Sequence, residues 1–255
     1  MTDDPRLPEL RVLGVPGLPE VAPGDDLAQL IVAAVRRVGL SIEAGDVFVV
    51  THKIVSKAEG RLVRLTDVEP SPLAERWSAP YGKDARLVEL ALRAARRVVR
   101  MDRGVLIAET HHGFVCANAG VDSSNIADGT AALLPEDPDR SARQLCARLR
   151  TAFAQPVAVI VSDTFGRPWR EGQVNVALGV AGLRPIVDYR GCVDAHSHQL
   201  QATVIAIADE LASAAELVMG KTGAIPVALI KGGRYEPGEG SARELVRAAD
   251  RDLFR

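Results

Sequence analysis

Four polar segments hold side chains able to do chemistry, each at the end of an expected strand or helix, where a rigid scaffold can aim them. Thr51 to Gly60 (Thr-His-Lys-Ile-Val-Ser-Lys-Ala-Glu-Gly) follows the apolar run Val47 to Val50. Its lysines supply ammonium charges and its serine a hydroxyl, a set suited to phosphates. Spacing alone fits a solvated loop better. Asn118 to Asn125 (Asn-Ala-Gly-Val-Asp-Ser-Ser-Asn) sets the Asp122 carboxylate three residues before the Asn125 carboxamide. Hard oxygen donors from one turn suit magnesium or manganese. A turn or helix cap is the commoner use of the same residues. Ser162 to Gly172 (Ser-Asp-Thr-Phe-Gly-Arg-Pro-Trp-Arg-Glu-Gly) follows the run Val157 to Val161. An acid beside a hydroxyl at a strand end, here Asp163 and Thr164, is a common metal-phosphate arrangement. Arg167 and Arg170 could clamp carboxylates or phosphates bidentately, and Trp169 could flank a planar ring. An ordinary loop with an Asp cap explains this segment equally well. Met219 to Ala224 contains Gly-Lys-Thr, but Ala215 stands where a phosphate loop needs glycine, and Lys221 ends a helix instead of preceding one. That reading fails. Gly220 reads as a helix C-cap, and Lys221 could still touch a nucleotide.

Other polar residues offer less. His111 and His112 are adjacent, so on a strand they would face opposite ways. His196 and His198 read as surface loop residues. No GxSxG elbow and no dinucleotide-type GxGxxG after a strand is present. Cys116, Cys146 and Cys192 are far apart and form no zinc-like pair, so free thiols in a reducing compartment are expected.

The elements that must position these groups are aliphatic, because aromatics make up only 4% of the chain. Helices are expected over Asp26 to Val38, Asp84 to Arg100, Ser141 to Phe153, Ala206 to Met219 and Ser241 to Ala249, from apolar spacing and end signals. Strands are expected over Asp46 to Thr51, Val105 to Ala108, Val157 to Val161, Ile186 to Tyr189 and Val227 to Ile230. Thr66 to Pro80 and Lys231 to Gly240 read as loops. Helices and strands mix without a regular repeat, which favours α+β over a doubly wound sheet.

The chain has 255 residues, 47% hydrophobic and 25% charged, enough to bury a core unaided. Lys plus Arg total 31 and Asp plus Glu 33, a balance that argues against a nucleic-acid surface. No apolar run approaches the roughly 20 residues of a membrane helix. The stretch Met1 to Pro5 is acidic and lacks an apolar signal region, so a cytoplasmic protein is expected.

Together the segments resemble the coenzyme F420-0:gamma-glutamyl ligase family over nearly the whole chain. The markers are Gly17-Leu18-Pro19-Glu20-Val21, Lys53 to Arg61, Asn118 to Asn125, Ser162 to Arg170, and Glu216 to Lys221. Each is moderately specific; all of them in this order are highly specific. The resemblance implies an α+β fold of two intertwined subdomains, usually a homodimer. It implies GTP as energy source, divalent magnesium or manganese at the phosphates, and a place for a monovalent cation such as potassium. By the family pattern Asp122 and Asp163 hold one metal and Thr164 contacts a second. Asn125, Lys57, Lys221, and Leu18, Pro19, Glu20 and Val21 would lie along the nucleotide.

Two positions depart from the family. It often has a serine where this chain has His52, a position expected near the nucleotide, and it tends to carry Gly-Arg near Ser197-His198. Some relatives fuse a C-terminal flavin-binding domain, and this chain ends about where such a domain would begin.

The implied reaction joins L-glutamate to the carboxylate of coenzyme F420-0, then adds gamma-linked glutamate, through an acyl phosphate made from GTP. Asp122, Asp163 and Lys57 would carry the phosphoryl step. Arg167 or Arg170 would position glutamate or the acceptor's phosphodiester. The rival readings are a metal-dependent phosphohydrolase and a non-catalytic deazaflavin-binding module.

Overall fold

Two apolar runs, Val47 to Val50 and Ala158 to Val161, are fully buried, and the main sheet grows around them. Continuous burial without alternation marks strands covered on both faces. The computed structural model describes residues 8–252. The acidic stretch Met1 to Pro5 and the end Leu253 to Arg255 lie outside the described residues.

In chain order the elements are β1 (Arg11–Gly14), α1 (Leu27–Arg37), β2 (Val47–Thr51), α2 (His52–Ala58), β3 (Leu62–Arg64), α3 (Pro72–Ser78), α4 (Ala85–Ala94), β4 (Ala95–Asp102), β5 (Val105–Thr110) and β6 (Val115–Ala117). There follow β7 (Thr130–Ala132), α5 (Pro138–Phe153), β8 (Ala158–Arg167), β9 (Arg170–Ala181), β10 (Val187–Asp188), β11 (Val204–Ile205), α6 (Ile207–Met219) and β12 (Val227–Lys231). The main sheet has the order β1-β12-β2-β8-β9, with β2 and β8 parallel and the other pairs antiparallel. On one face α1 and α5 pack Ile31, Leu145 and Leu149 against Phe48 and Val159. On the other, α6 lays Ala208, Leu211, Ala212 and Ala215 against Val49, Ile160 and Ile230. Alanines on α6 bring its backbone close to the sheet.

The chain leaves this layer after α2 and returns at α5. Between them it builds a second part from the pair β3-β7, the sheet β4-β5-β6, and α3 and α4, around Leu65, Leu90, Ala91 and Leu106. Mixed sheets with helices confirm the α+β class.

Several expected elements differ. The helix expected over Asp84 to Arg100 stops at Ala94, and β4 follows. Arg97 there pairs with Glu109 of β5, its Nη2 3.0 Å from Oε2, and Val98 faces Ala108 across the strands. Strand pairing overrides the helical spacing. The expected loop Thr66 to Pro80 contains α3, because Ser71 caps it and Pro72 fits the first turn. The expected last helix is reduced to short 3-10 turns at Ala242–Leu245 and Ala249–Arg251, separated by extended backbone at Val246. Thr51 to Gly60 is mostly the helix α2, not a solvated loop. Ser162 to Gly172 is not a loop either: β8 runs on to Arg167 and returns as β9. His111 and His112 lie in the turn after β5, where His112 Nε2 sits 3.0 Å from the carbonyl oxygens of Pro135 and Glu136. His196 and His198 are exposed loop residues, and all three cysteines are free, as expected.

Candidate active site

Helix α2 starts where β2 ends, with the Thr51 hydroxyl accepting from the Lys53 backbone N–H. Residues four apart share a helix face, so Lys53 and Lys57 point the same way. Lys53 Nζ donates to Asp122 Oδ2 at 2.7 Å, to the Ser124 carbonyl at 2.7 Å and to Ser124 Oγ at 3.0 Å. Lys57, only 5% exposed, donates to Glu20 and to the Asn125 carbonyl at 3.3 Å. One helix face thus ties the turn at residues 18–21 to the segment 118–125. Asn125 Nδ2 in turn donates to the Lys221 carbonyl at 3.4 Å.

The segment carrying Asp122 bends sharply. Asn118, Ala119 and Asn125 have φ of 52°, 50° and 53°. Asparagine tolerates this left-handed region, but an alanine there costs about 1–3 kcal/mol. Gly120, at φ 75°, follows directly, and a Cβ on it would lie 2.6 Å from Leu134. The surrounding packing over-determines the bend and holds Asp122, which also accepts from the Ser124 backbone N–H at 2.7 Å.

Asp163 sits within β8, beside β2. A bulge falls between Val161 and Ser162, where the β9 partner jumps from Gly179 to Ala177. The Ala177 N–H at this irregularity donates instead to Asp209 of α6, at 2.8 Å. Bulges re-aim the side chains beside them, here those of Ser162 and Asp163. His52 Nε2 lies 3.3 Å from Asp163 Oδ1, within hydrogen-bonding distance but without an aligned hydrogen bond. Next along, Thr164 donates to Asn175 Oδ1 at 2.6 Å and accepts from Lys221. Asn175 Nδ2 then donates to Glu216 at 3.0 Å.

Burial pushes both carboxyls up in pKa, yet both stay below the ordinary value. For Asp122 the hydrogen bonds and charge of Lys53 and Ser124 outweigh burial. For Asp163 the His52 imidazole and the Thr164 N–H outweigh burial and the repulsion of Asp122. The Asp122 charge raises the Asp163 carboxyl, as a neighbouring carboxylate does. Cys116 feels the same Asp163 charge; burial first, then this charge, push its thiol up to about 12, which leaves it inert.

These groups line one cleft of about 780 Å³ between the two parts of the molecule. Leu18, Pro19, Glu20, Val21, Lys57, Asp122, Asn125, Asp163, Thr164 and Lys221 all reach its wall. His52 does not; it is 1% exposed and stands behind the wall. Arg167 and Arg170 also lie off the lining, at the exposed hairpin tip, where Arg167 donates to the carbonyls of Glu171 and Gly172. Sequence reasoning left Asn175 and Glu216 out of the expected site, and it counted Lys53 only among the lysines suited to phosphates. Lys53 had a signal, its spacing of four from Lys57, but only once the segment is read as a helix. Glu216 stands in a family marker, and Asn175 carried no signal.

Among the described residues no group of three or more His, Cys, Asp or Glu side chains gathers tightly enough to hold a metal by itself. The donor set still fits magnesium or manganese. Such ions keep several waters and bind through one or two carboxylates plus substrate phosphates, not through an all-protein cage.

The profile of the family described as F420-0:gamma-glutamyl ligase matches residues 17–232. The chain is 45% identical over 251 residues to the coenzyme F420:L-glutamate ligase of Methanothermobacter thermautotrophicus, covering 96% of this chain and 99% of the relative. Against the enzyme of the same name from Methanopyrus kandleri it is 46% identical over 254 residues, 98% and 99% of the two chains. With that of Methanocaldococcus jannaschii it shares 40% over 215 residues, 84% and 86%. Family profile and relatives agree: this chain belongs to the F420-0:gamma-glutamyl ligase family, and it is a ligase.

Proposed function

We propose that this chain uses GTP to join L-glutamate to the carboxylate of coenzyme F420-0 and then adds gamma-linked glutamate to the product. The reading rests on one observation above all: Asp122 and Asp163, 41 positions apart in sequence, line the same cleft as Lys57. A carboxylate is a poor electrophile. In the proposed first step an acceptor carboxylate oxygen attacks the γ-phosphorus, the bond to the β-bridging oxygen breaks, and GDP leaves. The glutamate amine then attacks the acyl carbon, phosphate departs with the bonding pair, and the amine loses a proton as the amide forms. Phosphoryl transfer needs alignment and charge neutralisation more than covalent help. A divalent ion held by Asp122 and Asp163, with a second contacted by the Thr164 hydroxyl, would supply positive charge against the phosphates. Lys57 and Lys53 add charge of their own from one helix face. The turn at residues 18–21, Asn125 and Lys221 lie along the nucleotide. Arg167 and Arg170, outside the cleft wall, are left to the outer anions, the glutamate carboxylates or the acceptor's phosphodiester. The assembled unit is a homodimer on the resemblance alone.

Mass spectrometry of coenzyme F420-0 after incubation with GTP, magnesium or manganese, and glutamate tests the reading. Added glutamate mass supports it. GDP release that ignores glutamate and acceptor would favour a phosphohydrolase, and tight acceptor binding without any nucleotide effect would favour a carrier.

A further inference from the structure

His52 is the family departure nearest the carboxylates, and its surroundings do not suit a nucleotide contact. The side chain is 1% exposed and takes no part in the cleft wall. As the first residue of α2 it points inward beneath Asp163. Its Nε2 is buried and faces Asp163 Oδ1 at 3.3 Å; its Nδ1 lies 3.5 Å from Ser56 Oγ, one helical turn on. Ser56 is itself fully buried. The ring thus has a polar neighbour at each nitrogen, and the charged side chain it meets is that of Asp163, within hydrogen-bonding distance but without an aligned bond. A carboxylate has no proton to give, so a hydrogen bond to it requires the N–H on Nε2, which leaves Nδ1 and the Ser56 hydroxyl to settle their bond between them.

We propose that His52 is a positioning residue for Asp163: it restrains one carboxylate oxygen from behind and leaves the other presented to the cleft. The proposal rests on the reading of Asp163 as a metal ligand. Ligating carboxylates are commonly hydrogen-bonded by a residue behind them, and loss of that partner typically weakens metal binding roughly 10–100-fold.

The test uses Mn2+ titrated into the GDP-bound enzyme, with free Mn2+ followed by electron paramagnetic resonance, beside GDP affinity measured in chelator without metal. Asp163→Asn is the reference. His52→Phe fills the space but has no donor; it should weaken Mn2+ binding roughly 10–100-fold and leave metal-free GDP affinity within error of wild type. His52→Gln restores a side-chain N–H and should recover most of the Mn2+ affinity. A purely structural role would affect Phe and Gln variants alike, and that result overturns the proposal. So does a His52→Phe protein that loses metal-free GDP affinity but keeps Mn2+, since His52 would then touch the nucleotide. If Asp163→Asn binds Mn2+ as well as wild type, the metal reading itself falls. If only the His52 variants behave like wild type, that reading stands and the positioning role alone is lost.

Discussion

At the scale of single residues, the cleft brings together two carboxylates that repel each other and gives each a basic neighbour, Lys53 for Asp122 and His52 for Asp163. Lys53 holds Asp122 at 2.7 Å, and the imidazole behind Asp163 offsets burial. Both acids are thereby favoured in the ionised form, the form that the proposed hard cation requires. Asp163→Asn removes the charge but keeps the shape, and a neutral amide is a far weaker ligand for such an ion. The variant should melt near wild type while glutamate-dependent GDP release disappears. Full turnover by purified, folded Asp163→Asn would refute the site. Much of this is legible in the sequence: the acids, Thr164 and Lys57 stand in segments whose residue types limit their uses. The place of His52 is not, because sequence proximity to Lys53 says nothing of which way a ring turns. On a helix of seven residues beginning at the end of the central strand β2, position one faces inward while positions two and six face the cleft.

At the scale of elements, β8 and β9 set the position of Asp163 through their bulge, and Asp209 of α6 supports the irregular backbone. Burial pushes the Asp209 carboxyl up, against the pull of the Ala177 N–H. A carboxyl whose folded pKa exceeds its unfolded one disfavours folding once ionised. The penalty is absent below the ordinary carboxylate value and complete above the raised one. Asp209→Asn keeps an acceptor for Ala177 and carries no charge. It should match or exceed wild-type stability at neutral pH, with any gain vanishing as pH falls below the ordinary carboxylate range. Asp209→Ala leaves the buried N–H unpaired and should lose about 1–3 kcal/mol; denaturant unfolding of both variants at two pH values checks the pair. Asp209→Asn less stable than wild type at neutral pH would contradict the burial argument. The strands β2 and the first half of β8 could be read from their aliphatic runs, since only a doubly covered strand tolerates them. The later half of β8 and all of β9 could not. Thr-Phe-Gly-Arg before Pro168 and Trp169 has the composition of a loop, and what makes it a hairpin is register with residues 170–176. The end of α4 failed for a related reason: Ala94 continues the helical stripe, and only the pairing of Arg97 and Val98 with β5 ends it.

At the scale of the whole molecule, the site belongs to neither part alone. Residues 62–134 are inserted between α2 and α5, with their own apolar centre at Leu65, Leu90 and Leu106, and they supply Asp122 and Asn125 to a cleft whose other wall carries Asp163, Lys57 and Lys221. The two parts meet in an apolar cluster of Phe114, Leu134, Phe165 and Leu178, and polar contacts link the cleft walls, among them Lys53 to Asp122 and Asn125 to Lys221. A nucleotide bridging both should therefore stabilise the two parts together. At a ligand concentration of about 100 times Kd, linkage adds roughly 2.7 kcal/mol. For a chain of this size each kcal/mol raises the melting temperature by about 2–4 °C, so GTP with magnesium should raise it by roughly 5–10 °C. Lys57→Met should reduce the shift, because Lys57 touches both the turn at residue 20 and the 125 segment. Hydrogen exchange locates the effect: with ligand, slowed exchange should reach β5 and α4 of the inserted part as well as β2 and β8. Protection confined to the main sheet would mean that the nucleotide touches one wall only. Asp122 and Asp163 would then not share a ligand, whatever their proximity.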